Sequence, residues 1–187
     1  AVYFQDLAIK KNCYGDGYLK QLSFLYGEDA ENYLYWARVC KEYSTLSRHI
    51  MAKEILENMD WDTEEIIETI HNYIGDDNII RKGAISCKKD EKVIIPVNMA
   101  YGTFLAIGKG CVEWNNSGPH GAGRRLSRQD AKEQLSMNKY KESMKGVHSC
   151  CICRGTLDEA PMAYKNGDEI MTLIEPKIGR ASCRERG

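Results

Sequence analysis

The sequence lacks the features that would place a protein in a membrane, and any attraction to nucleic acid would have to come from a local patch, for which the Arg124 to Arg128 cluster with Lys132 is the best candidate. No hydrophobic run approaches the roughly 20 residues of a membrane-spanning helix, and the N-terminal string AVYFQDLAIKK lacks the regions of a signal peptide. The formal net charge is only -1, so no general attraction to nucleic acid is expected. With 43% hydrophobic and 28% charged residues, the composition predicts a globular, cytoplasmic protein without a membrane partner.

A disulfide scaffold is also not expected. The eight cysteines fall mostly in periodic segments, which indicates reduced thiols. Three of them share the string H-S-C-C-I-C-R, from His148 to Arg154. A zinc site is one interpretation, but adjacent cysteines point to opposite sides of a strand and no second pair follows at a suitable distance. We therefore expect a strand with small buried thiols here.

Hydrophobic periodicity predicts helices first and strands second. Helical spacing marks three N-terminal segments, the last about 30 residues long and expected to pack one face on a core: Val2 to Lys11, Tyr18 to Tyr26, and Tyr33 to Met59. Aromatic residues of this long helix are expected to pack in a core or interface rather than to stack on bases: Tyr33, Tyr35, Trp36 and Tyr43. Four β-branched runs cut by turn residues follow: Glu65 to Ile74, Asn78 to Cys87, Lys92 to Val97, and Thr103 to Gly108.

Two further helical segments, Ser127 to Leu135 and Asn138 to Lys145, precede the cysteine string and a structured loop from Thr156 to Lys165. The whole order predicts an α+β fold. It has N-terminal helices, one of them long, then a mixed or antiparallel sheet, and last C-terminal helix and strand segments.

The stretch from Trp114 to Arg128 reads W-N-N-S-G-P-H-G-A-G-R-R-L-S-R. Its glycines, Gly121 and Gly123, permit a backbone whose N–H groups converge on an anion, and the arginines that follow would neutralise the charge. His120 would then lie beside a bound phosphate, where a neutral imidazole can attack phosphorus. From residue types alone, a plain turn leading into a basic helix explains the stretch equally well.

A second histidine, His71, interrupts the first predicted strand beside Asn72. A lone imidazole in an apolar strand is more often a satisfied core residue than a ligand, so the residue types favour a core position over metal binding.

Several strings occur together in one order and spacing: I-H-N-Y-I from Ile70, R-K-G-A from Arg81, I-I-P-V-N-M from Ile94, G-K-G from Gly108, the stretch from Trp114 to Arg128, and T-L-D-E-A-P-M-A-Y-K from Thr156. In this arrangement the chain resembles the RtcB family of RNA-splicing ligases, from Val2 to about Pro176. The most specific strings are P-H-G-A-G-R and D-E-A-P-M-A-Y-K.

The resemblance implies a ligase that uses GTP and two Mn²⁺ ions. Its substrates would be RNA ends with a 3′-phosphate or 2′,3′-cyclic phosphate, joined to 5′-hydroxyl ends in tRNA splicing or RNA repair. His120 matches the histidine that becomes guanylylated, and His71 matches a metal ligand. Arg124 and Arg128 match residues that hold phosphates of nucleotide or RNA. Contacts to the guanine nucleotide are implied for His120 and ten other residues: Asn72, Pro96, Val97, Asn98, Met99, Thr103, Gly121, Ala122, Gly123 and Tyr164. An archease-like activator is a further implied partner.

The sequence departs from the family at both ends. The family's other metal ligands, in D-x-G-C-G, N-H-F and H-S-G-S-R strings, do not occur in it. An internal loop departs as well, because Pro96 to Ala100 reads P-V-N-M-A where P-G-x-M-G is common in the family. Because the first residue is Ala1 rather than Met, we interpret 1–177 as the C-terminal part of an incomplete RtcB-like domain. We expect it to be inactive alone, because His71 without the other metal ligands cannot hold a catalytic pair of ions. Residues 178–187 read I-G-R-A-S-C-R-E-R-G, which resembles a translated sequencing adapter, and we expect a non-native tail.

Two other functions stay open at this point. One is a non-catalytic RNA-binding relative that keeps the fold and the arginines, and the other is a phosphohistidine enzyme without guanine selectivity. Retention of both His120 and His71 argues against the first, because RNA binding needs neither imidazole.

Overall fold

The computed structural model describes residues 2–176 and 178–185. The chain divides into two compact units, Ala1–Glu64 and Glu65–Gly187. Among the described residues, no helix is both long and apolar enough to cross a membrane.

The first unit is helical. Helix α1 (Val2–Lys11) and a 3₁₀ turn (Gly17–Leu22) precede the 33-residue helix α2 (Gly27–Met59), so the first and third predicted helices are confirmed and the second is shorter than expected. The ring of Phe4 in α1 meets Tyr33 in α2 with centroids 5.3 Å apart. Helix α2 ends where Asp60 adopts a left-handed φ of 53°.

The expected core-facing side of α2 is not buried in this chain. None of the described α2 residues is buried, and Tyr35, Trp36 and Tyr43 are each more than half exposed. The prediction of a core-packed face is therefore wrong for this unit. The physical reason is that residues 2–64 contain one short helix and one 3₁₀ turn besides α2, which offer too little surface to cover a helix of this length.

The second unit holds two three-stranded antiparallel sheets. One has the order β1 (His71–Ile74), β2 (Ile80–Ser86), β5 (Ser117–Pro119), and the other has the order β3 (Lys92–Asn98), β4 (Gly102–Gly108), β6 (Ile178–Glu185). Helices α3 (Arg128–Gln134), α4 (Met137–Ser143) and α5 (Gly167–Ile174) complete it. The prediction of an α+β fold with helices before strands is confirmed, and the sheets are antiparallel.

Alternation along β3 builds the main core. Val93, Ile95 and Val97 are all at most 3% exposed, as expected for the buried side of a strand with a two-residue period. They pack with Ile85 of β2 and with α5, whose Ile170 and Ile174 close the cluster. A second cluster around Tyr140 joins α4 to the 3₁₀ turn Arg154–Glu159.

Two predicted strands differ from the structure. The strand expected from Glu65 begins only at His71, because the Thr69 side chain, not a backbone ladder, accepts the Ile94 N–H at 2.9 Å. The strand expected at the cysteine string is absent from the described residues, and Cys150, Cys151 and Cys153 are exposed. Here the Thr156 hydroxyl donates to the Cys151 and Cys153 carbonyls, so these groups are satisfied locally rather than by a neighbouring strand.

The loop from Thr156 to Lys165 is ordered by 3₁₀ turns over Arg154–Glu159 and Pro161–Ala163. Strand β6 falls on the segment predicted to be a non-native tail and pairs with β4. The origin of that segment stays a prediction.

Candidate active site

Strand pairing places His120 against the middle of β2. In the register of β2 and β5, Ala84 lies opposite Pro119, so the next residue, His120, emerges beside Gly83. Its Nδ1 lies 2.7 Å from the Gly83 carbonyl oxygen. Because a carbonyl oxygen can only accept, Nδ1 carries the proton, and the neutral ring keeps its lone pair on Nε2. The contact thus selects the tautomer that a nucleophilic imidazole requires.

Gly83 is held from the other side by Asn72. The Gly83 N–H donates to Asn72 Oδ1 at 2.9 Å. Asn72 lies opposite a bulge of β2, because it alone separates His71 from Tyr73 where β2 has three residues between Arg81 and Ile85. It has a left-handed φ of 59°, which asparagine tolerates better than most residues. The chain therefore links Asn72, Gly83 and His120 through two successive hydrogen bonds.

His71, predicted as a core residue on residue type and as a metal ligand by resemblance, is exposed at the start of β1. The core prediction is wrong, because the register shifts at Asn72, and His71, which pairs with Ile85 at the end of the strand, is exposed. The His71 and His120 rings stack with centroids 5.1 Å apart and an interplanar angle of 30°. The fold thus brings the two histidines together from positions 49 residues apart.

An ion pair between the buried Arg81 and the exposed Asp77 anchors the segment that leads to His120. Arg81 of β2 is 2% exposed, and its guanidinium donates to both carboxylate oxygens of Asp77 at 3.1 and 2.9 Å. It also donates to the Ser117 hydroxyl at 3.0 Å and the Asn115 carbonyl at 3.2 Å, just before the turn to His120. The Arg81 hydrogen bond lowers the pKa of Asp77 to about 2.

A cavity of about 880 Å³ opens beside His120, within the size range of ligand sites. The glycine-rich loop and the end of β3 form two of its walls. They touch so closely that a Cβ on Gly121 would lie 2.8 Å from the Pro96 carbonyl oxygen, which explains the glycine. Most of the predicted nucleotide contacts line the cavity, together with both predicted phosphate residues: Pro96, Val97, Asn98, Met99, Thr103, His120, Gly121, Ala122, Gly123, Arg124, Arg128 and Tyr164. Asn72 and His71 are not among the lining residues.

The β3 end of the cavity is shaped by its own side chains. Asn98 Oδ1 accepts the N–H groups of Ala100 at 3.1 Å and Tyr101 at 2.9 Å, which fixes the turn into β4. Met99 accepts a hydrogen bond from the Tyr140 hydroxyl, with a sulfur–oxygen distance of 3.2 Å. Thr103 is exposed. The turn is therefore ordered without the glycines that are common in the family.

Arg124 is committed to contacts within the chain. Its guanidinium donates to the Leu126 carbonyl at 3.0 Å, to the Tyr164 hydroxyl at 3.1 Å and to the Asp158 carbonyl. It also lies 4.9 Å from the centre of the Tyr164 ring, a cation–π distance. These contacts attach the glycine-rich loop to the segment that carries Tyr164.

Arg128 faces two carboxylates at the cavity rim. Its Nη1 lies 2.7 Å from Asp158 Oδ2 and 2.5 Å from Glu159 Oε1, while its side chain is 67% exposed. Glu159 accepts from the Tyr164 hydroxyl and then from Arg128, and both hydrogen bonds lower the pKa of Glu159. Burial, and then the bond to Glu159, raise the pKa of Tyr164. An incoming phosphate would have to compete with these carboxylates for Arg128.

Two residues of the site were not singled out from the sequence. Gly83 sits inside R-K-G-A, and a glycine within a predicted strand is a sequence signal of a bulge or of a close backbone approach. In the structure its φ is +65°. Glu159 sits inside D-E-A-P-M-A-Y-K and lines the cavity. No periodic signal could have paired Glu159 with Arg128, 31 residues earlier.

The described residues do not by themselves make a manganese site. His71 supplies one imidazole, a suitable ligand, but no group of three or more histidine, cysteine, aspartate or glutamate side chains is placed to hold an ion within 2–176 and 178–185. His71 as a ligand thus stays a prediction.

Comparison with known proteins identifies the family of the chain. The sequence model of the family described as tRNA-splicing ligase RtcB matches residues 10–184. The RNA-splicing ligase RtcB of Escherichia coli K12 is 29% identical over 176 residues, which is 84% of this chain and 39% of that protein. The RNA-splicing ligase RtcB1 of a second E. coli strain is 34% identical over 134 residues, covering 68% of this chain and 32% of that protein. The tRNA-splicing ligase RtcB of Aeropyrum pernix is 34% identical over 102 residues, covering 51% and 21%.

The chain belongs to the RtcB family, so the resemblance predicted from the sequence is confirmed. It spans about two fifths of the length of the K12 relative. The match also extends into the segment from residue 178.

Proposed function

We propose that the complete protein carrying this chain is a GTP- and Mn²⁺-dependent RNA ligase. It would join RNA ends with a 3′-phosphate or 2′,3′-cyclic phosphate to 5′-hydroxyl ends, in tRNA splicing or RNA repair, with an archease-like activator as a further partner. The observation that carries the proposal is His120 at the cavity, with Nδ1 bound to the Gly83 carbonyl and Nε2 left as the nucleophile.

His120 would act first. Its Nε2 attacks the α-phosphorus of GTP, the bond to the β-phosphate oxygen breaks, and pyrophosphate leaves with GMP held on the imidazole. The substituted ring carries a positive charge, which the Gly83 carbonyl dipole stabilises through Nδ1–H. The RNA 3′-phosphate then takes GMP from His120, and the RNA 5′-hydroxyl attacks the activated end, releasing GMP.

Other residues of the chain would position the reacting groups. Gly121, Ala122 and Gly123 line the cavity beside His120, and their backbone N–H groups would be the donors to a bound phosphate. Arg128 is the exposed cation that can exchange a carboxylate partner for a phosphate, whereas Arg124 acts mainly by holding the loop. His71 would be one ligand of manganese, which supplies charge neutralisation at phosphorus when bound.

The direct test is transfer of label from GTP to the protein. The complete protein is incubated with α-labelled GTP and Mn²⁺, denatured and examined for covalent label, beside the variants His120→Ala and His49→Ala. His49 is the matched control because it is an exposed histidine of α2, outside the cavity. Label on the wild type and His49→Ala, but not on His120→Ala, is expected.

Two outcomes would overturn the proposal. Absence of label on folded, manganese-loaded wild-type protein would remove the guanylyl-histidine, and RNA binding by that protein would then favour a non-catalytic relative. Equal label from all four nucleoside triphosphates would instead favour a phosphohistidine enzyme without guanine selectivity.

A further inference from the structure

The segment that follows α4 carries three cysteines that the proposed ligase reaction does not use. Cys150, Cys151 and Cys153 are all exposed, and the Sγ atoms of Cys150 and Cys151 lie 3.8 Å apart. The segment is a turn rather than a strand, and its three exposed thiols all lie within residues 150–153. Closely placed, accessible thiols are the usual setting for thiol–disulfide chemistry.

Cys153 is the thiol best prepared to react. It directly precedes the 3₁₀ turn Arg154–Glu159, where its Sγ accepts the Thr156 backbone N–H and lies 3.7 Å from the Thr156 hydroxyl. The Thr156 hydroxyl also accepts the Cys153 N–H at 3.3 Å, which fixes the pair. The Thr156 backbone N–H is a donor directed at sulfur and favours the thiolate, and contacts with Thr156, its side chain first and its backbone second, lower the pKa of Cys153.

Cys151 is placed to complete the reaction. The Cys153 N–H donates to the Cys151 carbonyl at 3.0 Å, so the chain makes a tight turn between the two residues. Residues bonded in this way can meet the Cα–Cα separation of about 4.4–6.8 Å that disulfides adopt. The Cα atoms of adjacent residues such as Cys150 and Cys151 are only about 3.8 Å apart, which is too close for this geometry. The hydrogen bond with Cys150 raises the pKa of Cys151, so this thiol stays protonated while Cys153 reacts.

We propose that Cys153 and Cys151 form a redox modification site for low-molecular-weight disulfides. The Cys153 thiolate attacks one sulfur of the disulfide, a mixed disulfide forms, and one thiolate leaves. Cys151 then gives its proton to solvent and attacks the Cys153 sulfur, which releases the second small thiol and forms the protein disulfide. Two protein thiols are oxidised and one small disulfide is reduced to two thiols.

Oxidised glutathione is the probe for the test. The complete protein is incubated with it, quenched with acid and mapped by mass spectrometry of its peptides, which assigns the partner of each cysteine, including the eight of this chain. A disulfide between Cys151 and Cys153, with loss of two hydrogens, is expected for the wild type. Cys151→Ser should instead trap glutathione on Cys153. Cys153→Ser should form no internal disulfide and should take up glutathione at least about threefold more slowly.

Cys40→Ser is the matched control, because Cys40 is an exposed thiol of α2 far along the chain from this segment. It should react like the wild type. Thr156→Val should slow capture at neutral pH, and the difference should vanish at a pH high enough to ionise the thiol in both proteins. The proposal fails if Cys153→Ser reacts as fast as the wild type, or if the disulfide joins other cysteines.

Discussion

The substitution Asp77→Asn tests the scaffold beneath His120. Asp77 is the carboxylate partner of Arg81, a guanidinium that is 2% exposed and also holds Ser117 and the Asn115 carbonyl. The lowering of the Asp77 pKa from 3.8 to about 2 would correspond to about 2–3 kcal/mol at 1.36 kcal/mol per pH unit, but Asp77 is an exposed residue, so solvent screening reduces its share of the folding free energy to about 1 kcal/mol. Asparagine keeps one acceptor for Arg81 but removes the charge, so a loss of about this size is expected at pH 7.

The same ion pair predicts a pH dependence with a defined sign. The folded-state pKa of Asp77 lies below the unfolded-state value, so the unfolded chain binds the proton first as pH falls. The stabilisation is complete above about pH 5 and is lost as pH falls through 3.8 toward 2. The stability gap between the wild type and Asp77→Asn should therefore be largest at neutral pH and should narrow near pH 3.

Urea unfolding followed by tryptophan fluorescence can measure this gap. Trp36 and Trp61 of the first unit are exposed and can be replaced by Phe, which leaves Trp114 as the one tryptophan, in the second unit. Asp90→Asn is the control, because Asp90 is exposed with a left-handed φ of 64° that asparagine also adopts. Equal unfolding midpoints for both variants at pH 7, or a gap that stays constant down to pH 3, would refute the role given to the Arg81 pair.

Three further substitutions separate positioning from stability. Gly121→Ala should lower the free energy of unfolding by about 1–3 kcal/mol and abolish GTP labelling in a folded protein, since its Cβ would lie 2.8 Å from the Pro96 carbonyl oxygen. Unchanged labelling, with folding checked by circular dichroism, would contradict this. Asn72→Ala removes the acceptor of the Gly83 N–H, so guanylylation should slow about tenfold or more while stability falls by about 1–2 kcal/mol, as single-turnover labelling and urea unfolding can show. Tyr164→Phe removes a hydroxyl that bridges a carboxylate and a guanidinium, and thermal unfolding should report a loss of about 1 kcal/mol, with no loss in the exposed control Tyr18→Phe.

Periodicity was sufficient for elements whose side chains alternate between core and solvent. Val93, Ile95 and Val97 point to the core at every second position, so β3 could be predicted nearly to its ends. The cysteine string could not be predicted in this way, because the Thr156 hydroxyl replaces the ladder partner that a strand would need. That contact depends on one side chain three residues beyond Cys153, and it leaves no periodic trace.

The contact between the His71 and His120 rings also could not be predicted from hydrophobic periodicity. It depends on the bulge opposite Asn72 and on the register of three strands, and register is set by the packed sheet rather than by either strand alone. The family resemblance indicated both histidines without their geometry. The site residues implied by resemblance remain predictions, whereas their arrangement around one cavity is a property of the fold.

The strings that carry the resemblance are paired across the structure. Asn72, in I-H-N-Y-I, contacts Gly83 in R-K-G-A, and Gly83 in turn accepts from His120 in the glycine-rich stretch. Arg81, in the same R-K-G-A string, holds Ser117 at the start of that stretch. Two strings whose residues contact each other restrict which side chains each can carry, even where neither string touches a ligand.

The same pairing explains why P-H-G-A-G-R and D-E-A-P-M-A-Y-K are specific only together. Arg124 of the first string donates hydrogen bonds to Asp158 and Tyr164 of the second. If P-H-G-A-G-R occurred without the second string, the Arg124 guanidinium would lack the partners that fix the loop. Lysine at position 124 could keep the charge but not the three directed bonds or the contact with the Tyr164 ring. Arg124→Lys should therefore lower guanylylation of His120 even though no charge is lost, and full activity in that variant would mean that Arg124 acts on phosphate as a charge alone.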